Sequence, residues 1–447
     1  MPEPPIVTAP AALRALRGRL LWFVDDPVVA GEAAHRFIQD GLLIIENGLV
    51  RAAGEAQDLL RTLPADAEIV DHRPHLIMPG FIDAHIHMPQ TQVLASYGAQ
   101  LMEWLNKYTF VEEQKLAQQG HAEKLSRFFL DELLANGTTT AAVYASVHPQ
   151  SAEAFFSESQ RRNIRMIAGK VMMDRNAPEA LTDTAESGYR DSKALIARWH
   201  GKGRQLYAIT PRFAITSTPE QMAAAGKLAA EHPDCHVQTH IDENRAEIAF
   251  ARELYPEAAD YADIYRRYGL LGAKSLMGHC IHMTHNEWQA FAEAGAVAVF
   301  CPTSNLFLGS GLFDWAHARQ RGVKVAVATD IGGGTSYSML RTMAEAYKVL
   351  QLQGQSLSAL EALHAITRGN AVALGLDHWI GSFEPGREAD VVVLDTSATR
   401  AMAHRLETVR DLAEELFVLV TLGDDRNVVA TYVMGELAAG ASFSGGA

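Results

Sequence analysis

Residues 79–90 read PGFIDAHIHMPQ, and they decide how the rest of the chain is interpreted. An apolar run ends at the Pro79-Gly80 break, and residues 81–87 then have the composition of a buried strand. Residues two apart in a strand point to the same side, so His85 and His87 project together. Two imidazoles on one face suit Zn²⁺ or a similar divalent metal, although a lone His-x-His is as typical of two hydrogen-bonded histidines at a sheet edge.

The central part of the chain alternates strand-like and helix-like segments. Residues 122–135, 219–231 and 285–294 have the composition of helices between strands. This alternation predicts an α/β fold, a (β/α)₈ barrel of the TIM type. An open, doubly wound sheet is the alternative, but no Gly-x-Gly-x-x-Gly motif opens a helix after a strand. The strands of the barrel are predicted at 81–87, 138–145, 166–173, 206–213, 236–241, 275–280, 296–302 and 323–330.

Both ends of the chain have the composition of short strands joined by tight turns. Asn47-Gly48 is a strong hairpin signal, because both residues tolerate positive φ. Neither end has enough strands to bury a core alone, so we expect the two ends to form one small β-sandwich domain. The predicted domains are 1–78 and 381–447 for the two parts of this small domain, and 79–380 for a metal-dependent catalytic barrel.

Composition excludes several classes of partner. A formal net charge of −14 argues against nucleic acid or an anionic membrane surface, because phosphate binding needs clustered Lys and Arg. The three cysteines, Cys235, Cys280 and Cys301, are too few and too widely spaced for a disulfide framework or a cysteine zinc site. The apolar patch 20–24 does not have the layout of a signal peptide, and no apolar run approaches the ~18 residues that span a bilayer. These features predict a cytoplasmic protein.

Polar residues end several predicted strands, where the active site of such a barrel lies. His85, His87, His240 and Asp330 offer three nitrogens and one oxygen, a set that suits one Zn²⁺ per chain, with Fe²⁺ as the main competitor. Glu243, three residues after His240, is a candidate general acid/base; the alternative is a solvated loop carboxylate. His279 is expected to orient a water or help hold the metal; the alternative is a core histidine bonded to a backbone carbonyl.

Longer stretches extend this pattern to the whole chain, which resembles the amidohydrolase superfamily and, within it, the guanine deaminase family. The His-x-His and the strand-eight aspartate are common to the superfamily, whereas 90–110, 170–178 and 301–311 resemble the guanine deaminases specifically. The matching stretches are PGFIDAHIHMPQ (79–90), YGAQLMEWLNKYTF (97–110), NGTTTA (136–141), AGKVMMDRNAP (168–178), YAITPRFA (207–214), THIDEN (239–244), CPTSNLFLGSG (301–311), ATDIGGGTS (328–336) and LGDDRNV (422–428).

The resemblance implies hydrolytic deamination of guanine to xanthine and ammonia by a zinc-activated water, in purine catabolism, by a homodimer. It places Gln90, Arg212 and Phe213 at the purine, and it implies catalytic roles for Glu243, His279 and Asp330. Relatives with two metals carry a lysine on strand four, which this chain lacks; Lys170 lies on strand three. Ala84 and Asp242 depart from the residues usual in the family. The residues implied to contact the substrate are His87, Gln90, Arg212, Phe213, His240, Glu243 and Asp330.

Other interpretations remain at this point. The long connection after strand one carries Tyr97, Trp104, Tyr108 and Phe110 at roughly helical spacing, which favours a helix packed on the barrel or a lid over the site. Another amidohydrolase activity, such as deamination of a thiomethyl- or homocysteinyl-adenosine or dechlorination of a triazine, is the nearest rival. A scaffold protein that keeps the barrel but has lost catalytic activity is the alternative from a different functional class. The complete set of candidate ligands argues against it.

Overall fold

The computed structural model describes residues 13–65, 67–97 and 101–440. The parts of the predicted small domain at 1–12 and 441–447, and residues 98–100 of the long connection, lie outside the described residues. The described chain forms a parallel barrel and one mixed sheet to which both ends contribute, as the sequence predicts.

The mixed sheet has seven strands in the order β16-β15-β14-β4-β1-β2-β3. The β2–β3 hairpin turns at Asn47 and Gly48, whose φ angles of 54° and 80° confirm the predicted tight turn. One face of the sheet packs Leu16, Leu43 and Val393 into a core of its own, and the other faces the barrel. The strands are β1 (Leu13–Phe23), β2 (His35–Glu46), β3 (Leu49–Glu55), β4 (Glu68–Pro79), β14 (Val391–Leu394), β15 (Val428–Val433) and β16 (Glu436–Gly440).

The barrel strands run parallel in the order β13-β12-β11-β10-β9-β7-β6-β5, with the short β8 beside β9. They confirm the eight predicted strands, although most end one to three residues earlier than predicted. Ile82, Ala142, Ile167 and Leu276 belong to one buried cluster that fills the barrel. The strands are β5 (Phe81–His87), β6 (Thr138–Tyr144), β7 (Arg165–Gly169), β8 (Val171–Met172), β9 (Gln205–Pro211), β10 (His236–Ile241), β11 (Ser275–His279), β12 (Val297–Phe300) and β13 (Lys324–Val327).

Helices follow the barrel strands and cover their outer side. Shorter helices include Leu101–Trp104, Leu105–Thr109 and Phe110–Glu113 in the connection after β5. Further short helices include Pro27–Ala30, Ala56–Leu59, Tyr261–Arg267, Pro302–Phe307, Trp315–Gln320, Ala359–His364, Asn370–Ala373 and Arg400–Leu406. The longer helices are α1 (Gln119–Ala135), α2 (Pro149–Arg161), α3 (Ala185–Trp199), α4 (Pro219–Glu231), α5 (Arg245–Leu254), α6 (His285–Ala294), α7 (Met339–Gln351) and α8 (Leu412–Leu422).

The seam between the first and last barrel strands is closed largely by side chains. The carboxyl of Asp83 accepts from the amide and the hydroxyl of Thr329. Beyond it, the Asp330 amide donates to the His85 carbonyl at 2.9 Å, and the His87 amide donates to the Ile331 carbonyl at 2.8 Å. These bonds bring the end of β5 beside the segment after β13, so that the predicted ligands of strands one and eight meet.

The Pro79-Gly80 break is where the chain leaves the mixed sheet and enters the barrel. The Gly80 amide donates to the Asp390 carbonyl at 2.9 Å, next to the paired strands β4 and β14. A Cβ at Gly80 would lie 2.2 Å from Thr139 Oγ1, so a side chain at this position would collide with β6. The glycine therefore permits the close approach that sets the start of β5 against its neighbour.

Candidate active site

The strand ends that carry the predicted site residues are shaped by unusual backbone conformations. Asp242, His279 and Asp330 have φ angles of 52°, 78° and 52°, in the left-handed region that non-glycine residues rarely adopt. Each follows or ends a barrel strand. Such conformations cost about 1–3 kcal/mol each and persist where the surrounding structure fixes them, often at functional sites. Here they turn the chain so that side chains from β10, β11 and β13 face one point.

The four predicted metal ligands converge at that point. His85 Nε2 lies 3.2 Å from His87 Nε2, which lies 3.1 Å from His240 Nε2. Asp330 Oδ1 lies 3.4 Å from the Nε2 atoms of both His85 and His87. Bonds of about 2.0–2.1 Å around a tetrahedral ion place neighbouring ligand atoms about 3.3 Å apart. The spacing of these atoms therefore fits a single divalent ion held by three imidazoles and one carboxylate.

The protonation of the cluster also fits a metal. Burial lowers the pKa of His85, His87 and His240 well below the usual range, so their rings are neutral and offer lone pairs. His240 Nδ1 lies 2.7 Å from the Arg212 carbonyl, which makes Nδ1 the donor and leaves Nε2 free to bind. Burial raises the pKa of Asp330, because an ionised carboxylate is unfavourable away from water. A bound cation would offset this unfavourable burial.

Other groups near the cluster fit a metal less well. Cys301 lies close to His279 and Asp330, but burial raises the pKa of its thiol well above the usual range, which keeps the thiol protonated. Lys170 donates to the Val171 carbonyl and pairs with Asp183, so it is already engaged away from this cluster. The contacts of Lys170 give no support to a second metal.

Glu243 and His279 lie on the other side of Asp330. His279 Nε2 lies 3.5 Å from Glu243 Oε2 and 3.9 Å from Asp330 Oδ2. The Asn305 amide donates to His279 Nδ1 at 3.0 Å, so Nε2 carries the proton and points toward the two carboxyl groups. Burial, with a smaller contribution from the Asp330 charge, raises the pKa of Glu243 to about 8. Glu243 is thus a buried carboxyl whose protein surroundings favour the protonated form, and the alternative of a solvated loop carboxylate is wrong.

A small cavity of about 30 Å³ opens beside these groups. Phe213 provides an aromatic wall, and Leu101, Trp104 and Leu105 of the long connection provide an apolar one. That connection is therefore both a packed helical segment and a cover over the site, while Tyr97 is 77% exposed and takes no part. The cavity is lined by His87, Gln90, Leu101, Trp104, Leu105, Arg212, Phe213, His240, Glu243, His279, Leu308, Asp330 and Gly333.

Gln90 and Arg212 bring hydrogen-bond donors to this cavity and are themselves 2% and 3% exposed. Arg212 pairs with Glu113, whose two oxygens each lie 2.9 Å from Nη1. Arg212 therefore forms a buried salt bridge and also lines the cavity. Gln90 donates to Glu113 Oε1 at 3.1 Å and accepts from the Gly332 amide at 3.2 Å.

The glycines after Asp330 leave room for the site. A Cβ at Gly334 would lie 1.7 Å from the Thr329 carbonyl oxygen. A Cβ at Gly333 would lie 2.6 Å from Ser304 Oγ and 3.4 Å from Asp330 Oδ2. Only glycine permits the chain to fold back this closely beside the carboxylate.

The structure brings every predicted site residue together, and it adds residues that sequence reasoning missed. Glu113 holds Gln90 and Arg212, and Ser310 donates to Glu243 Oε1 at 3.0 Å. Ser310 lies in the 301–311 stretch, so the resemblance offered a signal for it. Glu113 lies in a charged helical segment without a motif, so nothing in the sequence distinguished it.

The fold and the site define a class of enzyme. Residues 76–438 match the amidohydrolase family, and the chain belongs to that family, whose members generally bind a metal. Within it, the chain is 51% identical to the guanine deaminase of Escherichia coli (strain K12) over 95% of its own length and 97% of the relative. This places the chain among the guanine deaminases of the family.

Solved structures agree with this placement. An E. coli guanine deaminase structure superposes with a TM-score of 0.92 at 49% identity and covers 96% of this chain and 99% of that one. A guanine deaminase from C. acetobutylicum with guanine bound in its active site has a TM-score of 0.85 at 29% identity, over 95% of this chain and 99% of that one. Among the described residues, no helix is long and apolar enough to cross a membrane.

Proposed function

We propose that this protein is a hydrolase that converts guanine and water to xanthine and ammonia. The observation that carries the proposal is one small cavity that joins a His/Asp metal cluster, a buried acid and two donors suited to a purine carbonyl. Its kinship to guanine deaminases supports the same reaction.

We assign the metal to His85, His87, His240 and Asp330, and we propose Zn²⁺, one per chain. Three imidazoles and one carboxylate are a donor set that zinc favours, with Fe²⁺ as the competitor. A divalent metal in this cluster lowers the pKa of a water in contact with it toward about 7, and so supplies a nucleophile near neutral pH.

Glu243 is the acid in this proposal. Its raised pKa of about 8 keeps the carboxyl protonated at neutral pH. Transfer of that proton to N3 of guanine weakens the aromatic system and makes C2 more electrophilic. Ser310 donates to Oε1, which leaves Oε2 as the oxygen that faces the other catalytic groups.

Asp330 and His279 complete the proton transfers. As a metal ligand Asp330 would be ionised, so this carboxylate is suited to accept a proton from the attacking water and pass it to the leaving amino group. His279 presents its protonated Nε2 to the same region, where it can donate to the oxygen that gains charge on C2. Ammonia then departs while the C2 hydroxyl returns its proton to Glu243, which forms the C2 carbonyl of xanthine and restores the acid.

Gln90, Arg212 and Phe213 read the base in this proposal. The amide and the guanidinium donate to the 6-oxo group and a ring nitrogen, while Phe213 packs against the flat ring. His87 and His240 contact the substrate from the metal side. A site that hydrogen-bonds a carbonyl rejects an analogue that lacks it, because its buried donors are then left without partners. The site should therefore exclude adenine.

The cysteines, the family resemblance and the strand pairing support the setting of the enzyme. All three cysteines are free and buried, which accords with a cytoplasmic role in guanine catabolism. A homodimer is proposed on the family resemblance, and light scattering tests it. We also propose that 79–380 is the catalytic unit, and that 1–78 and 381–447 form the small domain, since β4 of the first part pairs with β14 of the second.

Ammonia release from a panel of bases tests the function. Purified protein with about one zinc per chain should release ammonia from guanine, but not from adenine, cytosine or guanosine. A thiomethyl-adenosine and a homocysteinyl-adenosine complete the ammonia assay, and chloride release from a chlorotriazine covers the dechlorination rival. Zinc-loaded protein that leaves guanine unchanged and turns over one of the others would overturn the assignment of the substrate.

A further inference from the structure

Glu113 is fully buried, yet it lies outside the lining of the cavity, behind two residues that line it. Its two oxygens each accept from Arg212 Nη1 at 2.9 Å, and Oε1 also accepts from Gln90 Nε2 at 3.1 Å. Gln90 follows the first barrel strand and Arg212 follows the fourth. Glu113 is therefore the group through which these two side chains are held in one arrangement.

These contacts determine which atoms of Gln90 face a ligand. A carboxylate paired with a guanidinium only accepts hydrogen bonds, so Gln90 turns its NH₂ group toward Glu113. The Gly332 amide occupies Gln90 Oε1 at 3.2 Å. The side-chain amide is thus locked in one orientation, with an N–H left over and its oxygen already in use.

The same carboxylate orients Arg212. Both Glu113 oxygens accept hydrogen bonds from Arg212 Nη1, which leaves Nε and Nη2 of the guanidinium for other partners. The guanidinium also lies over the Phe110 ring, 5.5 Å from its centroid, and Phe110 belongs to the same short helix as Glu113. Ser146, just after β6, donates to the Glu113 backbone carbonyl at 3.2 Å and anchors this helix.

We propose that Glu113 is the positioning residue that gives the site its preference for a 6-oxo over a 6-amino purine. By holding Arg212 and Gln90 as donors, it makes the pocket complementary to a carbonyl and repellent to an amino group. Glu113 does not touch the substrate and acts only through the two side chains in front of it. The inference rests on the proposed function, because Gln90 and Arg212 read the 6-position there.

Isosteric replacement of Glu113 by Gln tests the inference. Gln can offer its own NH₂ in place of an acceptor, so only the Gly332 amide then holds the Gln90 amide in its orientation. We expect Glu113→Gln to lower the ratio of kcat/KM for guanine over 2,6-diaminopurine at least tenfold, while the metal content stays at the wild-type value. Tenfold corresponds to about 1.4 kcal/mol, the scale of one hydrogen bond. The neighbouring Glu112, which pairs with Lys115, gives the control Glu112→Gln, whose ratio should equal that of wild type.

Binding without turnover provides the second measurement. Neither hypoxanthine nor adenine carries the 2-amino group, so calorimetric titration of metal-loaded protein gives the 6-oxo preference directly. We expect wild type to prefer hypoxanthine and Glu113→Gln to lose about tenfold of that preference. Glu113→Asp keeps the charge but moves it back by one methylene, and it replaces the Gln variant if that variant does not fold. We expect Glu113→Asp to lose about threefold of the preference for hypoxanthine over adenine. A preference unchanged in the folded variants overturns the role of Glu113, whereas a wild-type protein without the preference overturns the proposed substrate assignment itself.

Discussion

The side chain of Asn370 takes the place of a strand partner for Val327 at the seam of the barrel. Its Oδ1 accepts from the Val327 amide at 2.9 Å, and its Nδ2 donates to the Val327 carbonyl at 2.8 Å. Nδ2 also donates to the Ile82 carbonyl on the first strand at 2.7 Å. One buried amide therefore satisfies backbone groups of both strands that close the barrel.

Removal of this amide should destabilise the whole barrel. Asn370→Ala leaves three buried backbone groups without partners, at about 1–3 kcal/mol for each group. Because water can reach some of them after relaxation, we expect a total loss of about 3 kcal/mol in the free energy of unfolding. Urea unfolding of metal-loaded protein measures it. Asn286→Ala, on the exposed side of α6, is the control and should change stability by less than about 0.5 kcal/mol. A midpoint for Asn370→Ala equal to that of the control would refute this account of the seam.

Replacement of Glu243 by Gln should separate catalysis from metal binding. Glu243 lies outside the four-residue ligand set, so metal content should stay at the wild-type value. Loss of the transferable proton should lower kcat by about 10²–10⁴-fold. Metal analysis and steady-state kinetics on the same preparation give both quantities. Glu253→Gln, an exposed position in the adjoining helix α5, is the matched control. Turnover near the wild-type rate in Glu243→Gln would exclude the role in proton transfer.

Metal removal should abolish activity and lower stability together. The four ligand atoms lie 3.1–3.4 Å apart across the pairs described, and a cation offsets the cost of burying Asp330 among them. Chelated protein should therefore be inactive and should recover when Zn²⁺ is returned. When the free metal concentration is a thousand times the Kd, removal of the metal lowers the free energy of unfolding by about 4 kcal/mol.

His240→Ala is the matching variant for metal removal. It should bind less than one metal per chain under conditions that saturate wild type. It should also show no further loss of thermal stability on chelation. Full occupancy in His240→Ala, measured by elemental analysis, would remove this imidazole from the ligand set.

The sequence predicted the barrel well because each strand is a distinct apolar run, but it misplaced several strand ends. The last strand was predicted to reach Asp330 and ends at Val327. Thr329 is bonded by the side chain of Asp83, and Asp330 has a left-handed φ of 52°, so neither continues the strand pairing. Such endings depend on contacts between distant parts of the chain, which a local pattern does not contain.

The long first strand, Leu13–Phe23, was likewise seen only as the short apolar patch 20–24. Arg14, Arg17 and Arg19 interrupt its apolar pattern. In the structure they pair with Glu68, Asp40 and Glu415. The partner of each arginine is far away in sequence or on another strand, so the pattern alone gave no sign that the charges are compatible with a sheet.

The clustering of the four candidate metal ligands was predictable because histidine and aspartate are rare at the ends of buried apolar strands, and four of them recur there. The role of Glu113 was not predictable, because it depends on a contact with Arg212, which lies 99 residues away along the chain. A glutamate in a helical segment is ordinarily a solvated residue. Only the fold shows that this one is buried behind the cavity.

Acid should destabilise the protein through histidines that are buried without charge, and His236 is the clearest case outside the metal cluster. Its Nε2 donates to the Leu374 carbonyl at 2.9 Å, and burial lowers its pKa to about 4. An unfolded histidine has a pKa of about 6.5, so between these values the unfolded chain binds more protons than the folded one. Stability from this group is therefore intact above pH 6.5 and falls as pH decreases toward 4, by about 2 kcal/mol at pH 5.

His236→Gln removes this titration and keeps a donor for the Leu374 carbonyl. We expect the loss of unfolding free energy between pH 7 and pH 5 to be smaller in His236→Gln than in wild type by about 2 kcal/mol, whatever the stability of the variant at pH 7. Urea unfolding at the two pH values measures the difference. The exposed His404 gives the control His404→Gln, which should lose as much stability as wild type. Equal losses in His236→Gln and wild type would mean that His236 titrates in the folded protein much as it does in the unfolded chain, and that its burial does not set the acid limit.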